Sequence, residues 1–284
     1  MALAPVGLAV AARLLPPPAR ERVWLLHGWW RACHDAMARG APQAAPARLA
    51  QIRRLTTRAL AGEPTGEMAF DGLGAVALEC RFSWAQTADV LTRFELDASG
   101  WRPRGEDELL GYCYLAGGAM AVLVVRAMGI AEDDGEMLDC ASDLGVALEL
   151  GRIARAVAAC PPALPGDWLA QAGVSPSSHR LVRKAWARRL RQLAAPYVLS
   201  ARYGAAHLPF RSRWAALSLV TGVKHSVMTD RSFTRMAGLL QALAHGPDER
   251  PDVPLSRARL AQSITPAAGA SPVGAAGETA APVH

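Results

Sequence analysis

Aromatic residues make up only 6% of the 284-residue chain, and cysteine occurs five times. Cys33, Cys80, Cys113, Cys140 and Cys160 are scattered and contain no C-x-x-C pair. That spacing argues against a disulfide framework or a structural zinc site, and free thiols in a reducing compartment are expected. Runs of β-branched residues are short, there is no internal repeat, and no alternation of strand and helix patterns supports an α/β sheet. The apolar start, Met1 to Val10, lacks a preceding basic segment and soon meets Arg13, Arg20, Glu21 and Arg22. A secretory leader is not expected from that pattern. The one long stretch without charge, Leu109 to Val125, is near the lower limit for crossing a bilayer. Its glycines and two tyrosines favour a buried core helix.

Hydrophobic residues make up 51% of the chain, with abundant Ala and Leu, which points to a helical globular protein. The net charge of +6 and pI of about 9.4 suit anionic partners such as diphosphates or acidic headgroups. Much of that charge is Arg and Lys spaced along one pattern, from Arg180 to Arg191, which reads as a solvated helix face. No aromatic-interleaved or zinc pattern accompanies it, so no nucleic-acid partner is expected.

Periodicity predicts helices over Ala19–Ala38, Pro46–Ala61, Met68–Glu79, Ser83–Leu96, Gly105–Gly129 and Asp134–Val157. A proline-rich loop is expected from Cys160 to Asp167, a short helical piece over Trp168–Ala172, a long Arg-rich helix over Ser177–Tyr203, and one or two more between Arg211 and Leu243. Residues 1–245 are read as one domain. From Gly246, Pro, Ala and Gly dominate, and 246–284 is expected to be a disordered tail.

Several segments in the same order carry a likeness. Arg13-Leu14-Leu15-Pro16 precedes Val23 to Arg31, and Asp97 follows Phe94-Glu95-Leu96. Tyr112-Cys113-Tyr114-Leu115-Ala116-Gly117 comes next, then Asp143-Leu144-Gly145-Val146-Ala147-Leu148 and Arg155. Pro196-Tyr197-x-Leu199-Ser200-Ala201 and Leu208-Pro209-x-Arg211-Ser212-x-Trp214-Ala215 close the series. From about Leu14 to Leu243 the chain resembles the squalene/phytoene synthase family, and bacterial phytoene synthases in particular. The resemblance implies an all-α, single-domain isoprenoid-synthase-type helical bundle around a central apolar cavity. It implies head-to-head condensation of two geranylgeranyl diphosphates, with magnesium held by two aspartate-rich helix faces. By resemblance, Arg31, Asp35, Tyr112, Tyr114, Arg152 and Arg155 are the substrate-binding candidates, with Asp35 as a weak metal candidate.

The departures concern the chemistry. His34 and Ala38 stand at acidic positions of the first motif, and Ala156 and Cys160 at those of the second. Arg152 stands where the family has Asn, and Glu149 where it has Gln; Glu149 is expected to pair with Arg152 or Arg155. Magnesium is bound through carboxylates together with phosphate oxygens, and this chain offers few of the former. The leading expectation is therefore a catalytically degenerate member of isoprenoid or carotenoid metabolism. It would bind a prenyl diphosphate or isoprenoid lipid, or else a protein partner, with no cofactor assigned. The alternatives are an active phytoene synthase using magnesium, and a lipid-binding or scaffold protein on the membrane surface. A cytoplasmic location is expected, with peripheral association at the inner membrane as a variant. His27 and His34, seven residues apart, share a helix face, but no third metal ligand is visible.

Overall fold

The computed structural model describes residues 15–159, 164–168, 180–208, 247 and 249–264. All regular structure among them is helical. The helices are α1 (Pro17–Ala38), α2 (Ala45–Leu60), α3 (Met68–Cys80), α4 (Trp84–Ala98), α5 (Glu106–Cys113), α6 (Ala119–Ala127), α7 (Gly135–Ala159), α8 (Arg180–His207) and α9 (Arg257–Gln262). A 3₁₀ turn at Pro42–Ala44 leads into α2, and one π-helical turn at Tyr114–Gly118 joins α5 to α6. The one or two helices expected between Arg211 and Leu243 lie outside the described residues, as do residues 169–172 of the expected short piece. Gly166, Asp167 and Trp168 are already helical, so the proline-rich loop ends two residues early.

Local chemistry sets these boundaries. Two prolines open α1, where their missing N–H groups leave no hydrogen bond unmade. Its buried residues, Ala19, Val23, Leu26, Trp29, Trp30 and Cys33, recur at helical spacing and form one apolar stripe. Arg81 ends α3 in the left-handed conformation at φ 55°. Ser83 then opens α4 with a capping box: its hydroxyl accepts from the Gln86 N–H, and its own N–H donates 3.0 Å to the Gln86 side chain.

The segment Glu106–Ala127 is the only one among the described residues long and apolar enough to cross a bilayer, but 78% of its apolar window is buried within the protein. It is the central helix of the core. Its close neighbour is α7, and the crossing is built on glycine. A Cβ on Gly117 would overlap the Gly145 carbonyl, and one on Gly145 would overlap the Gly117 carbonyl and the Gly118 nitrogen. The long α8 lies along α7 and carries Pro196 within it. Gly204 of α8 lets its backbone approach Cys140 of α7. The Arg-rich face is not wholly solvated, since the Arg189 guanidinium sits 4.0 Å over the Trp168 ring and pairs with Glu106.

The tail differs from its expectation. Residues 249–264 fold back over the bundle rather than lacking packed structure. Arg250 binds Asp139 at 3.2 Å and the fully buried Asp143 at 3.0 Å, and Arg257 binds Asp139 at 2.8 Å. The Tyr197 hydroxyl donates to the Leu255 carbonyl and accepts from the Leu255 N–H at 3.2 Å. Leu260 of α9 is fully buried, and Ser263 sits against Gly111 of α5. Composition misses this segment because what orders it is contact with residues more than fifty positions away. Residues 265–284 lie outside the described residues.

Candidate functional site

Arg31 and Asp35, one turn apart on α1, pair with each other. The Arg31 Nε donates to both Asp35 oxygens at 3.0 and 3.1 Å, and both side chains are about half exposed. His34, next in sequence, points elsewhere, as the ~100° step between adjacent helical residues requires. It is wedged between Trp30 at 4.6 Å and Phe94 at 5.2 Å, ring centre to ring centre. Its Nε2 lies 2.8 Å from the Arg93 Nη1. A guanidinium only donates, so Nε2 accepts and the imidazole proton is on Nδ1. Burial, and then the charge of Arg93, lower the His34 pKa to about 4.

Arg93 and Asp97 are also one turn apart, on α4. The Arg93 Nε donates to Asp97 at 3.3 Å, and the Arg93 side chain is only 12% exposed. The other Asp97 oxygen accepts from the Tyr112 hydroxyl of α5 at 2.8 Å. Tyr112 stacks on Trp101, and burial, with Asp97 beside it, raises its pKa. Glu149 of α7 is close enough to Tyr112 to act on it electrostatically. A continuous polar belt thus runs from His34 through Arg93 and Asp97 to Tyr112, and on toward Glu149. It links α1, α4, α5 and α7.

Glu149 pairs with Arg152. The Arg152 Nε donates to both carboxylate oxygens at 2.8 Å, and Nη2 also contacts Oε1. This bond, more than the opposing burial, raises the Arg152 pKa. Arg155 lies on the exposed side of α7 and makes no hydrogen bond or ion pair among the described residues. Burial, then repulsion from Arg152, lower its pKa. Tyr114 is separate from the belt, donating to Asp89 at 2.6 Å. Burial raises the Asp89 pKa, against the pull of that hydrogen bond and of Arg257.

The six residues singled out from sequence therefore divide. Tyr112 and Arg152 lie in or beside the belt, while Arg31 and Asp35 form a half-exposed pair on its α1 side. Arg155 is solvent-facing, and Tyr114 is tied to a different acid. Sequence reading missed Arg93. The only local signal was its i,i+4 relation to Asp97, because its other partner is 59 positions away. His27 and His34 do not converge on a metal, since Trp30 lies between them, stacked on His27 and tilted against His34.

These residues do not fit a magnesium cluster. The Asp35 oxygens face Arg31, those of Asp97 face Arg93 and Tyr112, and those of Glu149 face Arg152. Ala156 offers no donor, and Cys160 is outside the described residues. Among the described residues no three His, Cys, Asp or Glu side chains come together to hold an ion. A cleft of about 620 Å³ opens at the other end of the central helix, lined in part by Arg22, Glu79, Arg126 and Glu132. None of the six residues singled out from sequence lines it.

The neutral His34 has a measurable consequence. An unfolded His titrates near 6.5, above the native value of about 4. The native state binds the proton less readily, so stability present above pH 6.5 is lost as pH falls toward 4. His34→Gln should flatten that part of the curve of unfolding free energy against pH. An unchanged slope would show that His34 is not held neutral.

The family described as squalene/phytoene synthase matches residues 7–226. A phytoene synthase of Pseudescherichia vulneris is 33% identical over 260 residues, covering 84% of this chain and 79% of that protein. The 15-cis-phytoene synthase of a Paracoccus strain is 35% identical over 229 residues, covering 74% and 72%. Among solved structures, a dehydrosqualene synthase in complex with ligand superposes with a TM-score of 0.69 at 18% identity, covering 84% of this chain and 91% of its own. The squalene synthase HpnC from Alicyclobacillus acidocaldarius gives 0.64 at 18%, covering 82% and 88%. The helical bundle is thus the isoprenoid-synthase fold, and the chain belongs to the squalene/phytoene synthase family.

Proposed function

We propose that this chain is a degenerate member of its family, which binds a prenyl diphosphate and does not ionise it. One observation carries the reading: every carboxylate in or beside the polar belt is already bound to a guanidinium or a phenol of the chain itself. Ionising an allylic diphosphate requires the charge on the departing diphosphate to be neutralised, and metal ions do this by bridging its oxygens. Asp35 alone, turned toward Arg31, does not hold such a cluster.

Binding is a separate matter. Guanidinium groups grip phosphate oxygens directly and in pairs. Arg31, Arg152 and Arg155 provide such groups, and Arg155 makes no ion pair among the described residues. The relatives named phytoene synthase support a prenyl diphosphate as the ligand.

The test is recovery of the ligand. Geranylgeranyl diphosphate is incubated with the purified chain and magnesium, and the bound fraction is extracted and analysed by mass spectrometry. Intact geranylgeranyl diphosphate is the expected result. Phytoene, a cyclopropyl intermediate or a dephosphorylated alcohol would show that the chain still turns its ligand over.

A further inference from the structure

The belt contains a cation of its own. Arg93 reaches from α4 to the first-motif position on α1, where its Nη1 meets the neutral His34 at 2.8 Å. Its Nε is fixed by Asp97, and its Cζ lies 5.6 Å from the Phe94 ring centre. Nη2 makes no hydrogen bond among the described residues. Both Asp97 oxygens are taken, one by Arg93 and one by Tyr112, so the acid beside Arg93 is itself satisfied. His34 adds no negative charge, and Arg31 stands one turn before it on α1. A divalent ion entering here would meet a fixed positive charge at contact distance, with no carboxylate left to hold it. An anion would meet a preorganised donor that is 12% exposed, where water screens it little.

We propose that Arg93 acts as a tethered cation in place of a metal ion, so that the chain binds the diphosphate of its ligand through guanidinium groups and without a divalent metal. The proposal rests on the reading that the chain binds a prenyl diphosphate, and deepens it by naming the contact that recognises the phosphate end. Arg93 is a ligand-binding residue in this account and takes no part in bond breaking.

The experiment titrates the full chain with geranylgeranyl diphosphate, geranylgeraniol and inorganic diphosphate, each in EDTA and in millimolar magnesium. Wild type, Arg93→Gln and Arg93→Lys are compared. Geranylgeranyl diphosphate should bind wild type with the same Kd in EDTA as in magnesium. Arg93→Gln should weaken it by about 10- to 100-fold, the loss of a charge-assisted contact. Arg93→Lys should restore part of the affinity. Geranylgeraniol should bind wild type and Arg93→Gln alike, showing that the bundle is intact.

Binding that needs magnesium in the wild type would overturn the proposal. So would an Arg93→Gln variant with unchanged or tighter affinity for geranylgeranyl diphosphate, since Arg93 would then be a spectator or a plug. If neither isoprenoid binds, the prenyl reading fails by itself, and inorganic diphosphate decides the rest. Metal-free binding that Arg93→Gln abolishes upholds the subsite, and no binding overturns it.

Discussion

Replacing Arg250 by alanine is expected to lower the unfolding free energy by about 3–5 kcal/mol, the usual cost of leaving a buried charge without its partner. Asp143 is fully buried in α7, and its pKa is raised by that burial against the opposing pull of Ser200 and Arg250. Arg250 also holds Asp139 at 3.2 Å and the Ser200 hydroxyl at 3.1 Å. Without it, the native state must keep an uncompensated carboxylate or take up a proton there. Urea unfolding of Arg250→Ala, Asp143→Asn and the double variant measures the coupling. Asp143→Asn should recover part of the loss in the double variant, because it removes the stranded charge. A loss below about 1 kcal/mol for Arg250→Ala, the range of an exposed ion pair, would contradict the structure of the C-terminal segment given above.

The second large effect is at the crossing of the central helix with α7. Gly145→Ala places a methyl group against the backbone of Gly117 and Gly118, atoms that no rotamer change can move aside. The helices must separate, and overpacking of this type typically costs about 1–3 kcal/mol or more. Gly28→Ala in α1 is the matched control. Nothing lies within 4 Å of the added carbon, and the site is mid-helix. There the exchange should add roughly 0.5–1 kcal/mol through helix propensity. Opposite signs for the two variants in thermal unfolding are the expected outcome. Two effects of equal sign and size would show that the glycines of the crossing are not in contact.

Much of the helical framework was legible in the sequence, because the signals that set it are local. The prolines before α1, the Ser83–Gln86 capping box and the apolar stripe of α1 each act within a few residues. The π turn at Tyr114–Gly118 left no such mark. It falls in an unbroken apolar run where one extra residue per turn leaves the hydrophobic pattern almost unchanged. The tail was misread for a related reason: Leu260 and two arginines order it only through α5, α7 and α8.

At the site, the non-acidic residues His34, Ala38, Ala156 and Cys160, at positions the family resemblance marks as acidic, can be read one position at a time. The partners that surround them cannot. Arg93 has no meaning until α4 is laid beside α1, and Glu149 pairs with Arg152 and not Arg155 because the i,i+3 geometry favours the former.

The most direct test of the account is diphosphate release. The purified chain and the Paracoccus 15-cis-phytoene synthase are assayed side by side, with saturating geranylgeranyl diphosphate and magnesium and with inorganic diphosphate as the readout. The account predicts release from the relative, and from this chain none above a heat-inactivated control. Sustained release from this chain that Asp35→Ala abolishes would contradict it, and would mark a working synthase that ionises its substrate with the carboxylates it has left.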